Sequence, residues 1–289
     1  MGQFFETIPE YLMKWILEQK MFWVATSPLS ASGHVNVSPK GGLYFGLLDD
    51  KTFWYMDLSG SGNETISHLY EPRNGRITVL FNSFEGPPRI VRLFGHGSIL
   101  ERGGVHKGGG EDFDDFVKKH DLQVLPSSRS IIIVKVHQVA SSCGYSVPYY
   151  EFKDFRNTLN ETFARKEEKF ERGKSEESRA RFVYVAHVCQ RNRVPTKSHP
   201  RFRYWAFKNA YSVDGLPGMK IGYKTGKQQG IAPIKKMVGP MAPQVYHNNR
   251  RFGMLHLILV AVLSAICTAL SLPFLPVDTL QRAFHRSAS

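Results

Sequence analysis

Segment 54–68 carries the densest set of groups able to do chemistry. A strand-like run ends in Gly60-Ser61-Gly62, and a short helical pattern opens at Asn63. Such a turn points backbone N–H groups outward at the positive end of a helix, and Ser61, Asn63 and Thr65 can add side-chain donors. That set suits a phosphate. The same residues also make an ordinary helix start, with glycines for the turn and Ser61 or Asn63 as the cap. On this segment alone capping is the stronger reading, because no P-loop or Rossmann signature accompanies it.

Other reactive side chains are scattered. Lys40 follows Ser38 and Pro39 and precedes two glycines. It can reach a ligand phosphate as a point charge, although a solvated turn lysine is the commoner case. Arg89 and Arg92 stand three apart in a strand-like run, which puts them on opposite faces, so one can meet a site or a dimer surface while the other meets water. Cys143 has no obvious base partner and reads as a buried structural thiol. His34, His68, His96, His106 and His120 show no metal-ligand spacing, and no metal is expected.

The elements that must position these groups form an α+β pattern. Strand-like runs occur at 21–27, 34–38, 52–57, 76–82, 89–100 and 130–141, separated by Gly-, Asn-Gly- and Pro-containing turns. Pro39 marks a strand edge or bulge. Six strands at short spacing suggest a closed or partly closed antiparallel barrel. Thr7 to Glu10 reads as a capping box with Pro9 in the first helical turn, and further helical patterns span 63–70, 112–119 and 150–172. The last of these reads as a charged, solvent-facing helix.

Composition bounds the rest. The chain has 289 residues, 42% of them hydrophobic, which is enough for a core and excludes a disordered tail. Three dispersed cysteines exclude a disulfide framework. The net charge of +13 is confined to 181–251, where basic side chains face Asp214 as the single acid, so the first 180 residues are near neutral. Residues 252–277 carry no formal charge, and 253–271 are apolar on every helical face before Pro273 and Pro276. A helix there matches the thickness of a bilayer core. With Arg250 and Arg251 before it, the expectation is a tail anchor with the N-terminal part facing the cytosol. Residues 1–25 contain charges that break any apolar signal core.

Taken together, segments 22–27, 34–41, 60–65 and 89–95 resemble the pyridoxamine 5′-phosphate oxidase-like family of FMN-binding split barrels, in its fungal-type branch; 209–218 matches a later marker of that branch. The resemblance covers about the first 150 residues. It implies a mainly β (α+β) fold: a six-stranded antiparallel split barrel with flanking helices, here with a C-terminal transmembrane helix added. It also implies a homodimer with FMN between the subunits. The contacts it implies are Ser38, Lys40, Ser61, Asn63, Thr65 and Arg92. Three departures stand out. His34 begins the strand that starts with arginine in the family, Gly62, Asn63 and Glu64 stand where the oxidases have arginine and lysine, and the oxidases' C-terminal Arg-Leu-x-Pro signature is not found.

The implied organisation is an FMN-binding barrel at 1–148, a charged helix at 149–180, a basic connector at 181–251, a transmembrane helix at 252–272 and a short tail at 273–289. Within the connector, 182–203 reads as an insertion that packs against nothing. The implied function is a membrane-tethered flavin (FMN)-dependent oxidoreductase acting on a small-molecule redox substrate, with no catalytic residue nominated. The alternative is a non-catalytic membrane-anchored module holding flavin or haem. Phe202, Tyr204, Trp205, Phe207 and Tyr211 among the connector's charges could stack on bases, yet no nucleic-acid motif accompanies them, and no nucleic-acid partner is expected.

Overall fold

A computed structural model describes residues 2–104, 111–172, 199–243 and 262–264. The chain divides into two compact units, Met1–Tyr246 and His247–Ser289. Of the second, only 262–264 are described, in helical conformation, so the expected span at 252–272 lies almost wholly outside the described residues. Among those residues no helix is long and apolar enough to cross a membrane.

The first unit is built on one antiparallel sheet. Its strands are β1 (Gln3–Phe5), β2 (Met21–Thr26), β3 (Asn36–Gly41), β4 (Phe45–Asp49), β5 (Thr52–Leu58), β6 (Arg76–Asn82), β7 (Ile90–Glu101) and β8 (Ser128–Ser142). Their order is β3-β2-β6-β7-β8-β5-β4, with β1 added beside the end of β8. The six expected strands are all present, and two short ones join them, so the sheet has eight. It curls without closing: Phe22 on β2 and Phe45 on β4, near opposite ends of the strand order, meet with ring centroids 5.1 Å apart. This is the half-open, mainly β architecture that fits a split barrel.

Alternation explains the core. Phe22 and Val24 on β2, Val79 and Phe81 on β6, and Val91 and Leu93 on β7 are buried at every second position and pack together. Helix α1 (Glu10–Glu18) inserts Leu12 and Ile16, four apart, into the same cluster. β5 is buried on both faces, because Phe53 and Tyr55 join the interior while Trp54 and Met56 pack on Phe113 and Phe116 of α3 (Phe113–Lys119). At Gly95 the β7–β8 register shifts, and a Cβ there would lie 2.4 Å from the Lys135 carbonyl oxygen. Glycine permits that close approach.

Several local expectations change. The first helix is entered through Pro9 with no side-chain cap bond, so the Thr7–Glu10 capping box does not form; the capping box that does form is at Asp112 and Asp115. Pro39 sits on edge strand β3, where its missing N–H costs no inner ladder bond. Cys143 is exposed, not buried, because it lies in the turn that leaves β8. Helix α4 spans Thr158–Glu171, later than the pattern at 150–172, and it buries Phe163.

The basic stretch also holds structure that charge counting did not reveal. Helices α5 (Pro200–Lys208) and α6 (Lys220–Gln229) pack on the barrel, with Trp205, Ala206 and Met219 fully buried. Residues 200–203, read as part of an insertion, are the first turn of α5, and Phe202 packs against the core. The rest of 182–198 lies outside the described residues.

Candidate functional site

At one end of the barrel interior three charges meet. Asn36, Ser38 and Lys40 of β3 stand opposite Thr26, Val24 and Phe22 of β2, and so share the core-facing side of the sheet. Lys40 Nζ lies 2.7 Å from Asp57 Oδ1. Asp57 Oδ2 accepts a 2.7 Å bond from Arg129 Nε, and Arg129 also donates to the Gly62 carbonyl at 2.7 Å. A register shift between Asp57 and Leu58 against β8 turns Arg129 inward. Asp57 and Arg129 are buried, while Lys40 is partly open at 22%. Burial alone would raise the Asp57 carboxyl, but Arg129 and Lys40 outweigh it and hold the carboxyl at about 2. Burial pushes the neighbouring Tyr55 phenol well above its ordinary range, with Asp57 adding to the shift.

Beyond Asp57 the chain turns at Gly60-Ser61-Gly62 into the seven-residue α2 (Glu64–Tyr70). Among the described residues, the N–H groups of Gly60, Ser61 and Gly62 have no acceptor. The Asn63 N–H does: it donates to Glu64 Oε2 at 2.7 Å. Glu64 Oε1 accepts from the Val213 N–H at 3.2 Å, with Lys236 Nζ at 3.5 Å. Burial would raise this carboxyl, but Lys236 and the backbone donors lower it. Asn63 makes no side-chain cap; its Nδ2 donates to Ser67 Oγ at 3.1 Å. Capping and phosphate cradling were the two sequence readings of this helix start. The side-chain cap does not form, and the Glu64 carboxylate takes the Asn63 N–H that a phosphate at this turn would share.

Helix α5 and the segment after it clasp this turn. Trp205 Nε1 donates to Ser59 Oγ at 2.9 Å, and Asn209 Nδ2 donates to the Gly60 carbonyl at 2.9 Å. A Cβ on Gly218 would fall 1.6 Å from Asn63 Nδ2, so only glycine allows the backbone of 209–218 so close. Asp214 accepts from the His34 N–H at 2.8 Å and sits 2.6 Å from His34 Nδ1. The buried Glu101 carboxylate takes the first N–H groups of α6, Lys220 at 2.7 Å and Ile221 at 3.0 Å, and the Tyr70 hydroxyl.

The six sequence-predicted residues therefore separate. Lys40, Ser59 and Gly60 border one pocket of about 240 Å³, whose wall continues through Phe22, Tyr44, Phe45, Met56 and Leu159. Ser61 is exposed and is not part of the pocket lining. Ser38 and Thr65 belong to an adjacent network: Ser38 Oγ donates to Asn36 Oδ1, and Asn36 Nδ2 donates to Thr65 Oγ1 at 3.0 Å and Thr26 Oγ1 at 3.2 Å. Thr26 in turn bonds the fully buried His68 Nδ1 at 2.9 Å. Asn63 is buried under Gly218. Arg92 is not brought to the pocket. It pairs with Leu80 and Ala140 between the core positions Val91 and Leu93, which puts it on the other face of the sheet. Arg89 lies over the rings of Tyr11 and Trp15.

Asp57, Arg129, Glu64, Trp205 and Asn209 were not among the expected site residues. The advance signal for Asn209 was the 209–218 marker, and Trp205 stood out only as an aromatic among the connector's charges.

No protein-family model matches the chain. Over 218 residues, 75% of this chain and 77% of the relative, it is 34% identical to an Aspergillus flavus protein described as pyridoxamine 5′-phosphate oxidase family protein ustO. Among solved structures, HupZ of Group A Streptococcus aligns with 47% or less of the chain: 22% identity, TM-score 0.35, 46% of this chain and 92% of that one. A putative pyridoxamine 5′-phosphate oxidase from Lactobacillus delbrueckii gives 14% identity and a TM-score of 0.33, over 47% of this chain and 94% of that one. These structural similarities are slight.

Proposed function

This chain belongs to the pyridoxamine 5′-phosphate oxidase family, and from that premise we propose that it is a flavin-binding oxidoreductase with FMN as the first candidate cofactor. The observation that carries the reading is the pocket. One side is an apolar and aromatic wall of Phe22, Tyr44, Phe45 and Met56; the other is Lys40 and Gly60, whose amide has no acceptor among the described residues. A planar ring fits the first, and an anionic or hydroxylated tail fits the second. When bound, a flavin supplies two-electron transfer to or from a small molecule. The protein's share is to bind and orient it and to exclude water.

The pocket's volume of about 240 Å³ is below the roughly 300–1,000 Å³ usual for small-molecule sites. That supports a site shared between two copies of the chain. Arg92 would then serve the dimer surface, on the sheet face that also carries Trp23 and Leu80. Membrane tethering through 252–272 stays part of the proposal. The test of the reading is a titration of the full chain with FMN, followed by quenching of flavin fluorescence. Saturable quenching that is lost when bulk is placed in the wall by Met56→Trp supports it. No quenching at protein concentrations of 100 μM (on the order of the weakest useful cofactor affinity) defeats it.

A further inference from the structure

Of the described residues that line the pocket, Leu159 alone comes from outside 22–60. It is the second residue of α4, the helix that follows the last strand of the sheet. Its neighbour shows which end of the pocket it closes. Asn160 Oδ1 accepts from Ser127 Oγ, and the Ser127 carbonyl accepts the Ser59 N–H at 2.7 Å. Leu159 therefore stands at the Ser59–Gly60 end, the end that fits a ligand's tail. Further along α4, Phe163 is buried with its ring 5.4 Å from that of Tyr204, and Lys166 Nζ lies 5.0 and 5.1 Å from the two ring centroids. The residue after Tyr204 is Trp205, which donates to Ser59 Oγ. Both Ser59 and α4 are thus tied to α5, and this end of the pocket opens only by breaking buried contacts.

Resting on the flavin reading above, we infer that α4 closes the tail end of the pocket and that Leu159 restricts the ligand to a flavin no longer than a mononucleotide. FMN ends in its phosphate. FAD continues past that point through a second phosphate into an adenosine, and the extension needs an open exit at the tail end. Leu159 stands at that exit of a pocket of only about 240 Å³. A side chain in the way excludes the longer ligand by clash and leaves the shorter one unaffected. Leu159 is 36% exposed, with one side on the pocket and the other in solvent, so it can be cut back without opening the core.

The full chain is equilibrated with FMN or FAD across a dialysis membrane, and bound flavin is read from its visible absorbance. Wild-type protein should hold FMN at least about tenfold tighter than FAD. Leu159→Ala should bring the two dissociation constants within about threefold of each other by tightening FAD, with FMN affinity and the thermal midpoint little changed. Phe163→Ala, which frees α4 from Tyr204, should move the ratio in the same direction. Wild-type protein that binds the two flavins equally overturns the inference and leaves the flavin reading standing. So does a folded Leu159→Ala variant that keeps the wild-type ratio or weakens both flavins alike. Binding of neither flavin overturns both.

Discussion

Replacing Trp205 by alanine should unfold the barrel well below the wild-type temperature. Trp205 lies in the stretch whose charge reads as a connector, yet it is fully buried, donates to Ser59 Oγ at 2.9 Å and packs on Phe202 at 5.5 Å between ring centroids. A buried tryptophan covers roughly 150–250 Å², and at about 25 cal/mol per Å² this corresponds to about 4–6 kcal/mol as an upper bound. Large-to-small substitutions in cores cost about 3–5 kcal/mol, so about 4 kcal/mol is the expected loss. For a domain of this size each kcal/mol moves the midpoint by roughly 2–4 °C, giving a fall of about 8–16 °C. Trp205→Phe keeps most of the ring and removes the indole donor, leaving the buried Ser59 hydroxyl without it; about 1–2 kcal/mol should be lost. Thermal unfolding followed by circular dichroism in the β-sheet region reads both. If Trp205→Ala shifts the midpoint by less than about 2 °C, then α5 is an appendage and its place in the barrel core is wrong.

Gly218→Ala should destabilise by about 1–3 kcal/mol, because the added methyl meets Asn63 Nδ2 and the Asn209 carbonyl; urea midpoints check it, and a neutral outcome would mean that 209–218 does not lie on the turn. Asp57 has a carboxyl lowered to about 2 by its two cations, from an unfolded value of 3.8. The folded state therefore binds its proton later than the unfolded state, and the stabilisation is present above pH 4 and disappears as pH falls toward 2, about 2 kcal/mol in all. Urea unfolding between pH 5 and 2, wild type against Asp57→Asn, should show that loss in wild type alone. Deleting residues 252–289 should move the protein from an alkali-resistant membrane pellet to the soluble fraction, and full-length protein that is soluble without detergent would remove the proposed anchor.

The sheet was legible where the sequence alternates between apolar and polar positions over five or more residues and is bounded by turn residues. Strand β6 over 76–82 is found as expected, and β2, β5, β7 and β8 shift by two residues or fewer at their ends. β1 has three residues, too few for a period, and β4 is a run of Phe45, Gly46, Leu47 and Leu48 with no alternation, so neither announces itself. Lys40 and the Gly60–Gly62 turn were legible because lysine and glycine restrict the chemistry and geometry available to them. Asp57 and Arg129 were not, because their meeting depends on β5 lying beside β8, 72 residues along the chain, and on a bulge that re-aims one side chain. Glu64 was legible only as a departure from the family's basic turn, because its bond to the Asn63 N–H requires the folded turn. Charge density concealed α5 and α6: Phe202, Trp205 and Ala206 have helical spacing, yet Arg201, Arg203 and Lys208 on the remaining positions read as a solvated basic stretch.

The claim at the centre of this account is that the pocket bordered by Lys40, Gly60 and the aromatic wall holds a flavin. The visible absorption spectrum of the full chain, purified and then saturated with flavin and passed through a desalting column, tests it most directly. The account predicts that flavin absorbance elutes with the protein, at up to one flavin per chain, and that Met56→Trp protein elutes colourless. Wild-type protein that elutes colourless, or a Met56→Trp variant that retains the same absorbance, would contradict it.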